Sequence, residues 1–176
     1  MFSKVSLRIA TVVALITIGA LSGLASARQR SGDEKGESPK SRALKNRATA
    51  PRPTDIDKGV TLESMLHKKA ETDWRNSKAA VIEGYVIQVE KEEDGDFHLA
   101  LAADKEEHDT DKWVIVEVTP AWRKRNASLS DARLRQLHEK KVRVTGWLFF
   151  EPEKEQSDPR GTRWELHPVT TITVVR

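Results

Sequence analysis

The chain has 176 residues, 38% of them hydrophobic and 32% charged, with a formal charge of +3 and a sequence pI near 9.2. That length holds one globular domain of ordinary size beside a leader. The absence of cysteine excludes disulfides, thiolate nucleophiles, cysteine-ligated zinc and a lipoprotein cysteine.

Residues 1–27 read as a secretory signal. Lys4 and Arg8 supply the positive flank, residues 9–24 are apolar, and Ala25-Ser26-Ala27 has the small-x-small cleavage pattern. An uncleaved anchor is the alternative, because the apolar run is only slightly short of a spanning helix. Loss of Lys4 and Arg8 with the leader takes the charge from +3 to +1, so any basic footprint for phosphate must come from clustering.

Residues 28–58 turn to Arg, Lys, Ser, Pro and Glu with almost no large apolar side chain, and are expected as a disordered basic linker. Lys40, Arg42, Lys45, Arg47 and Arg52 fall there in a stretch without acids, a patch that could touch lipid headgroups or another polyanion. Residues 59–176 then form the single domain. Its first element is an amphipathic helix over 59–75, capped by Thr61, with Leu62, Met65, Leu66 and Ala70 at spacings of three and four. Such a helix would cover one open end of a barrel.

Five strands come next. Residues 79–90 are rich in β-branched and aromatic side chains around Gly84, and the polar Asp94-Gly95 turn leads to a second strand at 96–102. There Phe97, Leu99 and Leu101 oppose Asp96, His98 and Ala100. An acidic connection over 103–112 lacks the glycine and final glutamate of an EF-hand loop and reads as a solvated tip. In the third strand, 113–119, Val114, Val116 and Val118 alternate against Trp113, Ile115 and Glu117 until Pro120 ends it. Trp122-Arg123-Lys124-Arg125 reads as a solvated approach to a helix over 128–139, whose buried residues would be Leu129, Ala132, Leu134 and Leu137. The fourth strand, 141–150, sets Val142, Val144 and Leu148 against Arg143, Thr145, Trp147 and Phe149, with Gly146 between. The fifth, 163–175, is interrupted at Pro168.

Three strands, a helix and two strands, with a glycine inside the first and fourth, resembles the order of the OB-fold, a five-stranded Greek-key barrel. The resemblance implies closure of the sheet, with the third strand between the second and fifth. His98, Glu117, Glu165 and His167 would then leave the outer face of adjacent strands. The segments Asp96-x-His98-Leu99 and Glu165-Leu166-His167-Pro168-Val169 also resemble motifs of uncharacterised exported bacterial OB-fold proteins, over about residues 79–175; that resemblance implies a fold and no activity.

Two functions are weighed. One is an exported, monomeric binding module without catalysis, using Trp113, Glu117, Arg143, Trp147 and Arg163. Its ligand would be an oligosaccharide, a peptide, a protein or other envelope component, or nucleic acid, with membrane contact confined to the leader or the basic tail. Acids at Glu90, Glu92, Glu93, Asp94 and Asp96 oppose phosphate at the first hairpin. The other is a metal-dependent hydrolase or nuclease in which His98, Glu117, Glu165 and His167 hold zinc or manganese. The expectation is the binding module, with no cofactor. Against both stands a simpler reading, in which the carboxylates pair with neighbouring arginines and His167 merely holds the proline kink.

Overall fold

Five strands close on themselves around an apolar core. In this computed structural model, which describes residues 38–151 and 160–176, β1 (Ala79–Lys91), β2 (Phe97–Ala102), β3 (Val114–Val118), β4 (Lys141–Phe150) and β5 (Trp164–Val174) form a closed barrel in the order β1-β2-β3-β5-β4. Every pairing is antiparallel except β3 with β5, which meet in parallel at Val116 and Leu166. The chain is mostly β with a few short helices, an architecture consistent with an OB-like barrel. Residues 1–27, expected as a signal segment, residues 28–37 of the expected linker and residues 152–159 of the last connection lie outside the described residues. No helix among the described residues is long and apolar enough to cross a membrane.

The inward faces are those the alternation marks. Phe97, Leu99 and Leu101, the three valines of β3, Val142, Val144, Leu148, Trp164 and Leu166 share one core. A bulge resets the phase within β5: Gly146 faces Val169 while Leu148 faces Leu166, so one more residue lies on β5 than on β4. The extra residue falls at His167-Pro168, a cis peptide. Because the bulge comes after His167 rather than before it, His167 keeps the face of Glu165.

The helices differ from expectation in length and place. The amphipathic segment is helical only over α2 (Leu62–His67), where Thr61 and Ser64 cap each other reciprocally. Leu62 and Met65 enter the core, whereas Ala70 stays exposed and its carbonyl accepts from Trp164 Nε1 at 2.9 Å. The basic aromatic stretch expected as a solvated approach is itself α3 (Pro120–Arg125), with Thr119 as N-cap and proline at its first turn. The helix expected over 128–139 shortens to a 3-10 turn at Ala127–Leu129 and α4 (Asp131–Arg135), and Ala132 faces solvent.

The largest departure is the basic linker. Over its described part, 38–58, it begins with α1 (Pro39–Lys45), capped by Ser38, and continues as an arm along the outside of the barrel. Ile56 bridges to Ala79 at the start of β1. Composition misses this arm because its docking uses backbone carbonyls and cations rather than apolar burial.

Candidate functional site

β2, β3 and β5 lie side by side, and their outward side chains converge. His98 sits opposite Glu117 in the antiparallel register, with Nε2 3.2 Å from Glu117 Oε1. The parallel pairing of β3 with β5 brings His167 to the same carboxylate, Nδ1 lying 2.8 Å from Glu117 Oε2. That nitrogen is also 3.2 Å from Glu165 Oε1. Alternation, together with the strand order that the OB-fold resemblance implies, therefore selected four residues that do meet.

Two further members complete the cluster. Arg160, from the loop before β5, donates through Nη1 to Glu165 Oε2 at 2.6 Å. Asp96, at the entry to β2, places Oδ2 3.4 Å from His167 Nε2. In the sequence Arg160 is one of several loop cations and Asp96 lies on the outer side of its strand; neither has a periodic signal that ties it to β5. The cluster is also not an open outer face: Glu165 is 0% exposed, His167 2% and Glu117 5%. His98 and Asp96 keep the contact with solvent, their side chains being 27% and 11% exposed.

Burial and charge compete at each group. Burial opposes the imidazolium of His98, yet the hydrogen bond and charge of Glu117 win and push it up to about 9. His167 is likewise lowered by burial and raised, by more, by Glu117, Asp96 and Glu165. Burial would raise Glu117, but His167 and His98 hold it well below the usual carboxylate range. Glu165 goes the other way: burial and the neighbouring Glu117 raise it against Arg160 and His167. Ion pairs thus tie β2, β3, β5 and the loop before β5 together.

The expected metal set of His98, Glu117, Glu165 and His167 assembles, but two of its members are engaged elsewhere. Arg160 takes Glu165, and His98 turns to Glu117, with Glu92 3.7 Å from its other nitrogen. The set whose donor atoms lie within 4.8 Å of one another is Asp96, Glu117 and His167.

The expected ligand-binding set does not form one open face. Arg143 pairs with Glu83 at 2.6 Å on the exposed side of β1 and β4. Arg163 stacks over Phe150, 4.5 Å from its centroid, and donates to the Glu151 carbonyl. Trp113 packs with Ala100, Ala102 and Ile115 in a small separate cluster, while Glu117 belongs to the ionic cluster. Trp147 does lie on the outside of β4, and the arm covers it.

That cover is specific. Three successive arm carbonyls each accept from a side chain of the domain: Arg47 from Trp122 Nε1 at 2.9 Å, Ala48 from Arg125 Nη1 at 2.8 Å, and Thr49 from Trp147 Nε1 at 2.8 Å. The Arg47 guanidinium lies 4.5 Å from the Trp147 centroid, and the Lys45 ammonium 5.3 Å from that of Phe149. Trp147 and Phe149 are two residues apart on β4 and so share a face, matching the two-residue spacing of Lys45 and Arg47. Lys45 also pairs with Glu151 at 2.9 Å. Burial opposes its charge, but Glu151, Glu165 and Glu117 raise its pKa.

No family model matches the chain, and no curated protein does. Among solved structures it is similar to Entamoeba histolytica asparaginyl-tRNA synthetase, with 14% identity and a TM-score of 0.39 over 58% of this chain and 22% of that one. For the same synthetase in complex with asparaginyl-adenylate the values are 13%, 0.40, 61% and 23%. The chain thus covers less than a quarter of that protein's length, and likeness at this level says nothing of activity or ligand.

Proposed function

We propose that this chain is an exported OB-fold binding module, without catalysis, that takes an extended peptide segment along the outside of β4 beside α3. In this reading the strand order is that of the OB-fold and α2 closes one end of the barrel. The observation that carries it is the row of three successive carbonyls, at Arg47, Ala48 and Thr49, each held by a side-chain N–H of the domain. Backbone capture gives affinity without regard to sequence, while the rings of Trp147 and Phe149 select cations at alternate positions. Burial of the histidine and glutamate cluster favours a binding module over a hydrolase, which must admit a scissile bond.

The test is fluorescence anisotropy of a labelled synthetic peptide with the sequence of residues 44–51. It is titrated into the full chain carrying Arg47→Glu, which weakens the chain's own arm. Saturable binding is expected, reduced at least about tenfold when Trp147→Leu is added, on the scale of one lost cation–π contact and one lost hydrogen bond. Equal signal with and without Trp147, or no binding at all, ends the reading.

A further inference from the structure

His167 is where the ionic cluster is incomplete. Its Nδ1 faces two carboxylates, Glu117 Oε2 at 2.8 Å and Glu165 Oε1 at 3.2 Å, so that nitrogen carries a proton. The other nitrogen, Nε2, is fully buried and makes no aligned hydrogen bond. It faces Asp96 Oδ2 at 3.4 Å. Glu165 is matched by Arg160 and Glu117 by His98, whereas His167 is the one ion-pair partner of Asp96 among the described residues. Nε2 and the carboxylate oxygen are held together only by a positive species between them, either a second ring proton, which makes His167 an imidazolium, or a metal ion that takes that proton's place.

We propose that this species is a divalent transition-metal ion of the zinc or manganese class, held by Asp96 and His167 Nε2 with Glu117 as third ligand. Donors about 2.0–2.2 Å from a tetrahedral metal lie roughly 3.3–3.6 Å from one another, and the gap from Nε2 to Oδ2 is 3.4 Å. An oxygen of Glu117, an oxygen of Asp96 and a ring nitrogen of His167 lie within 4.8 Å of one another; Glu117, which meets Nδ1 at 2.8 Å, has to turn from that nitrogen to reach a metal on Nε2. The bond from Nδ1 to Glu165 supplies the carboxylate that orients a metal-bound imidazole, and Arg160 fixes that carboxylate in turn. One imidazole with two carboxylates suits zinc or manganese rather than a soft thiolate-seeking ion. Asp96, with 11% of its side chain exposed, stands at the entry. The ion would join β2, β3 and β5 outside the core, and it is independent of peptide capture on β4.

The experiment is calorimetric titration of the full chain with zinc chloride and with manganese chloride, repeated on Asp96→Asn, His167→Gln and the control Arg143→Ala, each checked for folding by circular dichroism. One-to-one binding is expected in the parent and in Arg143→Ala, weakened at least about tenfold in Asp96→Asn, since even residues that only orient a ligand cost 10–100-fold. His167→Gln also removes the centre of the ionic cluster and with it part of the fold's stability, so the titration of the parent and of Asp96→Asn decides. No binding at millimolar metal overturns the site. So does binding that Asp96→Asn leaves unchanged, which would place the ion elsewhere, as among the acids of 103–112.

Discussion

Arg160 and Glu165 meet at 2.6 Å with side chains 3% and 0% exposed, which makes the pair sensitive to loss of either member. Exposed ion pairs contribute little, but removing one partner of a buried pair strands a charge that water cannot reach. Arg160→Met is therefore expected to destabilise the fold by about 3–5 kcal/mol, read from the urea midpoint at unchanged slope. The exposed pair of Arg143 with Glu83 is the contrast: Arg143→Ala should cost less than about 1 kcal/mol. In the sequence Arg143 lies between two valines of a strand and Arg160 between Pro159 and Gly161 of a polar connection, and by that setting Arg160 would be the more exposed of the two. What separates them is burial, which depends on loops and an arm that lie far from them along the chain.

Local patterns act through short elements here, and several of these are held by close backbone approach. Gly161 donates to the Trp113 carbonyl at 2.8 Å, and a Cβ there would stand 2.0 Å from the Asp111 carbonyl oxygen. That neighbour is backbone, so it cannot rotate away. Gly161→Ala is expected to cost at least the 1–3 kcal/mol typical of overpacking, visible as a lowered melting temperature, and to shift the Trp113 environment in near-ultraviolet circular dichroism. At the same scale, Gly146 lets β4 press on the bulge of β5, where a Cβ would meet Leu166 Cβ at 2.9 Å. Gly146 was legible as a point of coiling within an alternating strand; Gly161, in a polar connection, was not. The arm shows the same limit: a run of basic residues with no apolar period carries no hydropathy signal, yet it docks through three of its own carbonyls. The short helices owe their starts to capping. Thr61 and Thr119 begin α2 and α3 by capping them.

For the whole molecule, the barrel core, α2 and the arm are joined rather than stacked as separate layers. Leu62 and Met65 of α2 belong to the same core as the strands, and the arm is bonded to α3 and β4 at once. The described residues accordingly fall in one compact unit. Its five tryptophans sample several parts of it: Trp164 the core, Trp113 the small outer cluster, Trp147 and Trp122 the arm contact. Urea unfolding followed by tryptophan fluorescence and by far-ultraviolet circular dichroism should therefore give coincident transitions. A separate early fluorescence step would show that the arm undocks independently.

The sequence by itself determined the inward faces of β2, β3, β4 and β5; joined to the strand order that the OB-fold resemblance implies, it also selected His98, Glu117, Glu165 and His167, which meet outside β2, β3 and β5. A strand period of two assigns faces locally, and adjacency then comes from strand order. Only the tertiary structure decided that this outer face is buried, that Arg160 joins it, that Asp96 faces His167, and that residues 45–49 lie across Trp147. Burial and ion pairing join segments separated by tens of residues through contacts that have no period, and nothing in a local pattern encodes which distant carbonyl or carboxylate will arrive.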